Sequence, residues 1–152
     1  TATKNGASAH ILLAEDNITN VETMRDILEF IGYRVTVAQN GLEAISSAEK
    51  TAPDLILMDM QMPVMDGIEA TIALRQNKQT PDIPIIALTG MAMANDQERC
   101  LDAGCNDFLT KPIHIPKLKQ MLKTFLTWQA IFVFYNSAQF DTKRDERDML
   151  LL

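Results

Sequence analysis

The chain has 152 residues, 47% hydrophobic and 22% charged, with a formal net charge of −6. This length allows one domain with a full core and an appendage, and the composition is that of a soluble globular protein. The acidic balance argues against direct nucleic-acid binding, which needs stripes of Lys and Arg. No apolar run approaches the ~18 residues of a transmembrane helix, and residues 1–10 lack the apolar centre of a signal peptide.

The two cysteines, Cys100 and Cys105, lie five positions apart and have no second pair. They therefore predict neither a zinc site nor a disulfide framework, and they fit a reducing, cytoplasmic compartment. The chain begins with Thr1 rather than Met, as a segment of a longer protein would.

Two β–α units open the predicted domain. The apolar runs "ILLA" (11–14) and "RVTVA" (34–38) predict strands. A helix follows the first run, with Gly32 as its C-terminal cap; its apolar positions at helical spacing are Val21, Met24, Leu28 and Ile31. The second run is followed by a helix over 41–50, whose predicted apolar face is Leu42, Ile45 and Ala48.

Three further units complete the pattern. Strands are predicted at 55–58, 83–89 and 107–112. The third helix runs from about Ile68 to Gln76, the fourth ends at Ala103 before Gly104, and the last spans about Pro116 to Leu126. Strands without hydrophobic alternation, separated by helices, indicate a parallel sheet that is covered on both faces.

We therefore predict one α/β domain over about residues 10–126, preceded by a flexible segment, 1–9. Residues 127–152 form a tail that is aromatic and apolar at first and then alternates in charge. A helical extension or a poorly ordered tail is the expectation. Pairing with another subunit, or a linker, remains open.

Charged and polar residues stand where the predicted strands end. Glu15 and Asp16 follow the first strand, Asp59 ends the third, Thr89 ends the fourth and Lys111 ends the fifth. In parallel sheets of this type, sites form at the carboxyl ends of the strands. Clustered carboxylates repel one another, so such a group is usually neutralised by a proton or a cation.

The chemistry of this cluster favours a particular ion. Oxygen ligands without His or Cys select a hard ion, Mg²⁺ over Zn²⁺. A hydroxyl and an ammonium beside Mg²⁺ are the groups that hold the oxygens of a phosphoryl group. For single residues a simpler interpretation stays open, since Asp16 alone could face solvent and Asn17 could cap the first helix.

Four motifs, in this order and spacing, resemble the receiver domain of two-component response regulators. They are "ILLAEDNITN", "LILMDMQMPVMDG", "PIIALTG" and "DFLTKPI". The wording of "MDMQMPVMDGIEAT" and "AMANDQERCLDAGCNDFLTKPI" is most similar to receivers of hybrid sensor histidine kinases. The resemblance covers residues 10–126 and implies a flavodoxin-like, doubly wound five-stranded parallel sheet, (βα)5, with strand order 2-1-3-4-5.

The resemblance also implies a role for each strand-end residue. Asp59 would take a phosphoryl group from a phosphohistidine as an aspartyl phosphate. Lys111 would pair with Asp59 and then with the phosphoryl group, and Thr89 would hydrogen-bond a phosphoryl oxygen. Mg²⁺, for which Mn²⁺ can substitute, would be held by Asp16 and Asp59, by the main-chain carbonyl of Gln61, and by Glu15 through a water.

In the family, phosphorylation moves Thr89 and draws the aromatic at Phe108 inward, which repacks the surface around helix 4, strand 5 and helix 5. Gln61 and Met91 would tune the lifetime of the phosphoryl group. Pro63 and Gly67 would shape the loop after Asp59. A cis peptide bond between Lys111 and Pro112 is usual in the family. This chain departs from the common family pattern at three positions, with Glu15 where Asp is frequent, Gly90 where Ala is frequent and Phe108 where Tyr is frequent.

The implied partner is a histidine kinase or a histidine phosphotransfer protein, with no nucleic acid and no membrane contact. A homodimer is left open. Such a module would catalyse its own phosphorylation and dephosphorylation, and in a hybrid protein the parent would be a histidine kinase. Whether the chain counts as an enzyme is therefore not decided by the sequence.

Three other classes share parts of the pattern. A phosphatase of the haloacid dehalogenase type needs a second Asp at position 61, where this chain has Gln61. A flavodoxin-like cofactor carrier needs a first loop that cradles phosphate, which "AEDN" would repel. A pseudo-receiver, acting only as a docking module without phosphorylation, remains the alternative, although the expected site residues are all present.

Overall fold

A computed structural model describes residues 3–4, 7–90 and 94–127. Five strands form one sheet: β1 (His10–Ala14), β2 (Arg34–Ala38), β3 (Leu55–Asp59), β4 (Ile85–Thr89) and β5 (Asp107–Thr110). All four pairings are parallel, and the strand order is β2-β1-β3-β4-β5. This is the predicted order 2-1-3-4-5, so the doubly wound α/β fold is confirmed.

Helices cover both faces of this sheet. They are α1 (Ile18–Ile31), α2 (Gly41–Thr51), α3 (Gly67–Gln76), α4 (Ala94–Ala103) and α5 (115–127). One apolar cluster packs α1 and α5 against the sheet through residues such as Leu28 and Leu122. A second cluster packs α2, α3 and α4 against the opposite face through residues such as Ala48 and Leu74. The central strands are buried on both sides, which explains their continuous apolar runs.

The ends of α1 follow local sequence signals. Asn17 is the N-cap, and its Oδ1 accepts the backbone N–H of Asn20 at 3.1 Å. Gly32 ends the helix with φ 113°, a left-handed conformation that glycine adopts without steric cost. The predicted cap at Gly32 is therefore confirmed, and Asn17 acts as the helix cap.

The predicted apolar face of α2 was wrong at Leu42, whose side chain is 52% exposed. The buried positions are the small residues Gly41, Ala44 and Ala48. The Gly41 N–H donates to Met65 O at 2.9 Å, and a Cβ at Gly41 would lie 2.6 Å from that oxygen. Close approach to the loop before α3 therefore sets which side of α2 faces inward.

The limits of four strands differ from the prediction by one or two residues: β1 begins at His10 rather than at residue 11, and β3 ends at Asp59 rather than at residue 58. β4 begins at Ile85 rather than at residue 83, and β5 ends at Thr110, before Lys111. Two-residue strands, Thr3–Lys4 and Ala7–Ser8, pair antiparallel within the segment predicted to be flexible. The tail lies outside the described residues from position 128 onward. None of the helices in the described part of the chain has the length and hydrophobicity of a transmembrane span.

Candidate functional site

The carboxyl ends of β1, β3, β4 and β5 bring the predicted site residues to one edge of the sheet. Glu15 directly follows β1, and its N–H is held by Ala38 O at 3.0 Å. Asp59 is the last residue of β3. The Lys111 N–H donates to Thr89 O at 2.7 Å, which ties the residue after β5 to the end of β4. The sheet register therefore places these side chains together, as predicted from strand ends.

The Lys111 ammonium bridges two buried carboxylates. Its Nζ lies 2.9 Å from Asp59 Oδ2 and 3.0 Å from Glu15 Oε2. Glu15 is 2% exposed and Asp59 4% exposed, whereas Asp16 beside them is exposed to solvent. Two carboxylates thus share one cation in a largely dry setting, where ionic interactions are stronger than in water.

Burial raises the pKa of Asp59 to about 6, and the neighbouring Glu15 carboxyl adds to the increase. Hydrogen bonds from the Gln61 backbone N–H and from Lys111 act in the opposite direction. Burial also acts to raise the pKa of Glu15, but its hydrogen bonds with Asp59, Lys111 and Asn20 outweigh burial and lower it. The pKa values of the two carboxyls are therefore shifted in opposite directions, although both contact the same lysine.

Lys111 keeps its positive charge in this setting. Burial alone would lower its pKa, but hydrogen bonds and charges from Asp59 and Glu15 outweigh burial and raise it. The other oxygen of Asp59, Oδ1, accepts the Gln61 N–H at 3.0 Å. Both oxygens of Asp59 are thus fixed by donors, one from the loop after β3 and one from the residue after β5.

The acidic residues provide a donor set that suits a divalent cation. Glu15, Asp16 and Asp59 each contribute a carboxylate oxygen, and these atoms lie within 4.8 Å of one another. All three donors are hard oxygen ligands, so the set fits Mg²⁺ rather than Zn²⁺. Three of the predicted ligands are therefore brought together, and Lys111 contacts two of them, Glu15 and Asp59.

Backbone packing leaves room for glycine alone at position 67. A Cβ there would overlap the carbonyl oxygen of Asp59 and would lie 2.9 Å from Met60 Cα. The Gly67 N–H donates to Met60 O at 3.3 Å, so α3 begins against the chain that carries Asp59.

Two other backbone features lie near the site. Val64, in the loop between β3 and α3, has φ 69°, which is strained for a β-branched residue. The Lys111–Pro112 bond is cis, as predicted.

The remaining predicted residues lie at the β4 and β5 side of the site. Thr89 is 4% exposed, and Phe108 is half-buried against the apolar cluster beneath α4. A pocket of about 180 Å³ opens between the loops after β3 and β4, and Gln61, Thr89 and Gly90 contribute to its lining. Met91, predicted to tune phosphoryl lifetime, lies outside the described residues.

Sequence reasoning missed one residue that contacts the site. The side-chain amide of Asn20, on the first turn of α1, donates from Nδ2 to Glu15 Oε1 at 3.3 Å. The Asn17 N–H donates to the same oxygen at 3.2 Å. The only sequence signal for this contact is an amide side chain one helical turn after the acidic pair.

Comparisons with known proteins agree with this geometry. The family model "Response regulator receiver domain" matches residues 11–123. A polar-differentiation response regulator, DivK of Brucella anthropi, is 40% identical over 116 residues, which are 76% of this chain and 94% of DivK.

Solved structures show the same relationship. The receiver domain of a sensor histidine kinase from Pseudomonas aeruginosa PAO1, with a magnesium ion coordinated in its active-site cleft, is 42% identical with a TM-score of 0.75; the match covers 80% of this chain and 99% of that one. A chain in the co-crystal structure of the Saccharomyces cerevisiae histidine phosphotransfer protein Ypd1 with the receiver domain of Ssk1 is 30% identical with a TM-score of 0.75, and the match covers 82% of this chain and 92% of that one. The chain therefore belongs to the response regulator receiver domain family of two-component signalling.

Proposed function

We propose that Asp59 accepts a phosphoryl group from a phosphohistidine, and that the domain acts as a Mg²⁺-dependent switch in a phosphorelay. The observation that carries this proposal is the position of the Asp59 carboxylate. It is held at the rim of the sheet beside a half-buried lysine and a second carboxylate that is buried. The raised pKa of Asp59 also indicates a carboxylate that is less stabilised than one in water, and hence more nucleophilic.

In the proposed step, one oxygen of the Asp59 carboxylate attacks the phosphorus of the phosphohistidine. A P–O bond forms and the P–N bond to the imidazole breaks, with its electron pair going to the ring nitrogen. The product is an aspartyl phosphate, a mixed anhydride. Lys111, which donates to Asp59 at 2.9 Å, is placed to follow the negative charge from the carboxylate to the new phosphoryl group.

The acidic cluster would hold Mg²⁺, with Mn²⁺ able to substitute. Asp16 and Asp59 are the proposed carboxylate ligands, Gln61 supplies its main-chain carbonyl, and Glu15 acts through water. Bound Mg²⁺ would supply positive charge to the phosphoryl oxygens. Two observations support this assignment, the mutual approach of the three carboxylates and the magnesium ion in the similar Pseudomonas receiver.

Thr89 and Phe108 would convert phosphorylation into a change of surface. Thr89 lies at the end of β4, next to the site, and Phe108 pairs with Ala87 one strand further along. Movement of Thr89 toward the phosphoryl group would give Phe108 space to move inward, and would repack the surface of α4, β5 and α5. Gln61 and Met91, each two positions after a site residue, would set how long the phosphoryl group persists.

The proposed partner is a histidine kinase or a histidine phosphotransfer protein. The similarity to the receiver crystallised with Ypd1 supports the second class. The similarity to the Pseudomonas receiver supports an origin within a hybrid sensor kinase. A cytoplasmic setting is part of the proposal, and Cys100 and Cys105, both free thiols, fit it.

The test is phosphoryl uptake from acetyl phosphate, followed by intact mass spectrometry, with MgCl₂ or with EDTA. Native protein should gain one phosphoryl mass in MgCl₂ and none in EDTA, and Asp59→Asn should gain none in either. A native protein that binds Mg²⁺ without forming an adduct would instead indicate a pseudo-receiver that acts by docking alone. Adduct formation by Asp59→Asn would show that another residue is the acceptor.

A further inference from the structure

The Glu15 carboxylate is fixed from two sides. On one side, Oε2 accepts from the Lys111 ammonium at 3.0 Å. On the other, Oε1 accepts from the Asn17 N–H at 3.2 Å and from Asn20 Nδ2 at 3.3 Å. Lys111 also donates to Asp59, the proposed phosphoacceptor. The two donors from the start of α1, by contrast, contact the Glu15 carboxylate and not that of Asp59.

These contacts rearrange the usual start of a helix. In a capping box, the N-cap side chain accepts from the N3 backbone N–H, and the N3 side chain returns to the N-cap N–H. Here the first half is present, because Asn17 Oδ1 accepts the Asn20 N–H at 3.1 Å. The second half is replaced, because Glu15 takes the Asn17 N–H and the Asn20 side chain donates to Glu15.

In this arrangement the side-chain amide of Asn20 donates to Glu15 instead of returning to the N-cap N–H. A carboxylate at N3 would compete with Glu15 for the same N–H and would repel it. An amide instead presents an N–H to the carboxylate. The side chain of Asn20 is therefore not needed for the helix cap, whose hydrogen bond uses only its backbone N–H.

We propose that Asn20 is a positioning residue, which holds the Glu15 carboxylate in the orientation that the divalent-cation site requires. This inference rests on the proposed function, since it assumes that the acidic cluster binds Mg²⁺. Glu15 is buried while Asn20 lies at the surface of α1, so Asn20 also links the outer start of α1 to the interior of the site. Glu15 is proposed to reach the cation through a water, so Asn20 lies one step further out than the partner of a direct ligand, whose loss commonly lowers metal affinity about 10- to 100-fold; the effect of Asn20 belongs at the lower end of that range.

If Asn20 only supported the helix, Asn20→Ala should lower thermal stability. If Asn20 positions Glu15, the variant should instead lower Mg²⁺ affinity. The variant keeps the backbone N–H that caps α1, and Ala has a higher helix propensity than Asn. The lost hydrogen bond to Glu15 offsets this gain in helix propensity, so thermal stability should change little, while Mg²⁺ affinity falls. A loss of affinity without a loss of stability would separate positioning of Glu15 from support of the helix.

The experiment is a titration with MgCl₂ followed by amide chemical shifts in NMR, on the full chain. We expect Asn20→Ala to raise the Mg²⁺ dissociation constant roughly tenfold, at the lower end of the usual range because the bond is long and near the surface. Thr19→Ala is the matched control, since Thr19 is the exposed neighbour on the same turn. It should leave the constant within about twofold, which is below the range for a lost partner.

A double-mutant cycle with Glu15→Ala tests whether Asn20 acts through Glu15. In the Glu15→Ala background, Asn20→Ala should have no further effect on the dissociation constant. Equal effects in both backgrounds, or no effect of Asn20→Ala in the native background, would overturn the inference alone. A native chain that binds no Mg²⁺ would overturn both the inference and the proposed metal site. Asn20→Ser provides a second variant without the amide donor if Asn20→Ala fails to fold.

Discussion

The Lys111 ammonium lies 2.9 Å from Asp59 Oδ2, joining the residue after β5 to the last residue of β3. The backbone N–H of Lys111 also donates to the carbonyl of Thr89 at 2.7 Å, so the main chain that carries this lysine is held at the end of β4. One cation is thus linked both to the proposed phosphoacceptor and to the strand that carries the proposed switch residue. The contact with Lys111 explains how the Asp59 carboxylate, which lies at the edge of the sheet, can be both buried and paired with a cation.

Replacing Asp59 should stabilise the metal-free protein while abolishing phosphoryl uptake. The ionised carboxylate is buried beside Glu15, as its raised pKa indicates, so Asp59→Asn removes an unfavourable charge. We expect a gain of about 1–2 kcal/mol in the free energy of unfolding at pH 7.5 in EDTA. Urea denaturation measures it, with the exposed Asp26→Asn as control. A less stable Asp59→Asn protein would show that Lys111 fully offsets this charge.

Glycine is required at position 67 but not at position 90. An added Cβ at Gly67 meets the backbone of Asp59 and Met60, so the loop and β3 must separate. Gly67→Ala should cost about 2–3 kcal/mol of unfolding free energy and slow phosphoryl uptake, as expected for overpacking against backbone. Gly90→Ala is the matched control, because a Cβ there meets nothing within 4 Å in the described part of the chain. Equal losses in the two variants would refute this steric explanation.

His10 should make folding stability depend on pH. Burial, followed by the charge of Arg34, lowers its pKa, although Asp54 acts in the opposite direction. Its Nε2 also lies 2.7 Å from Thr36 Oγ1. Since the unfolded state then binds a proton more readily than the folded state, the free energy of unfolding should fall as pH drops below about 6.5, and should be fully recovered above it.

The measurement for His10 is urea denaturation of native protein and His10→Gln at pH 7.5 and at pH 5.5. Gln cannot be protonated in this range and can still hydrogen-bond Thr36 through an atom near the position of Nε2. Native protein should lose more stability between the two pH values than the variant does, because other titrating groups are common to both. The same loss in both proteins would contradict the assignment.

Arg75 should be a main stabilising contact at the opposite edge of the sheet. Its guanidinium donates to the carbonyls of Pro81, Ile83 and Gly104 and to Asn106 Oδ1, at 2.7 to 3.0 Å. Arg75→Met should lower the free energy of unfolding by about 2–3 kcal/mol, because two part-buried acceptors, the carbonyls of Ile83 and Gly104, lose a charged donor. The exposed Lys78→Met is the control. A loss no larger than that of Lys78→Met would mean that water replaces these contacts without cost.

Continuous apolar runs and the residues at their ends were sufficient to predict a parallel sheet and the residues at its rim, whereas the strand order came from the family resemblance. A parallel sheet puts every carboxyl end on one edge, so Glu15, Asp59 and Lys111 could be placed together without coordinates. The structure confirms that they are brought together. Their roles in phosphoryl transfer stay predictions.

What sequence reasoning could not supply depends on particular side-chain contacts. Leu42 was placed inward because helical spacing reports hydrophobicity, whereas the inner side of α2 is set by the approach of Gly41 to Met65. The donation from Asn20 to Glu15 depends on which partner each amide and carboxyl atom chooses at the start of α1. Patterns of residue type do not distinguish such choices, because several satisfy the same hydrogen-bonding groups.

The most direct test of the central claim is to locate the phosphoryl group. Protein treated with acetyl phosphate and MgCl₂ would be reduced with borohydride, which converts an aspartyl phosphate to homoserine, and its peptides would then be sequenced by mass spectrometry. We expect homoserine at position 59 and at no other acidic residue. Homoserine at Asp16 or elsewhere, or none in a protein that binds Mg²⁺, would contradict Asp59 as the phosphoacceptor.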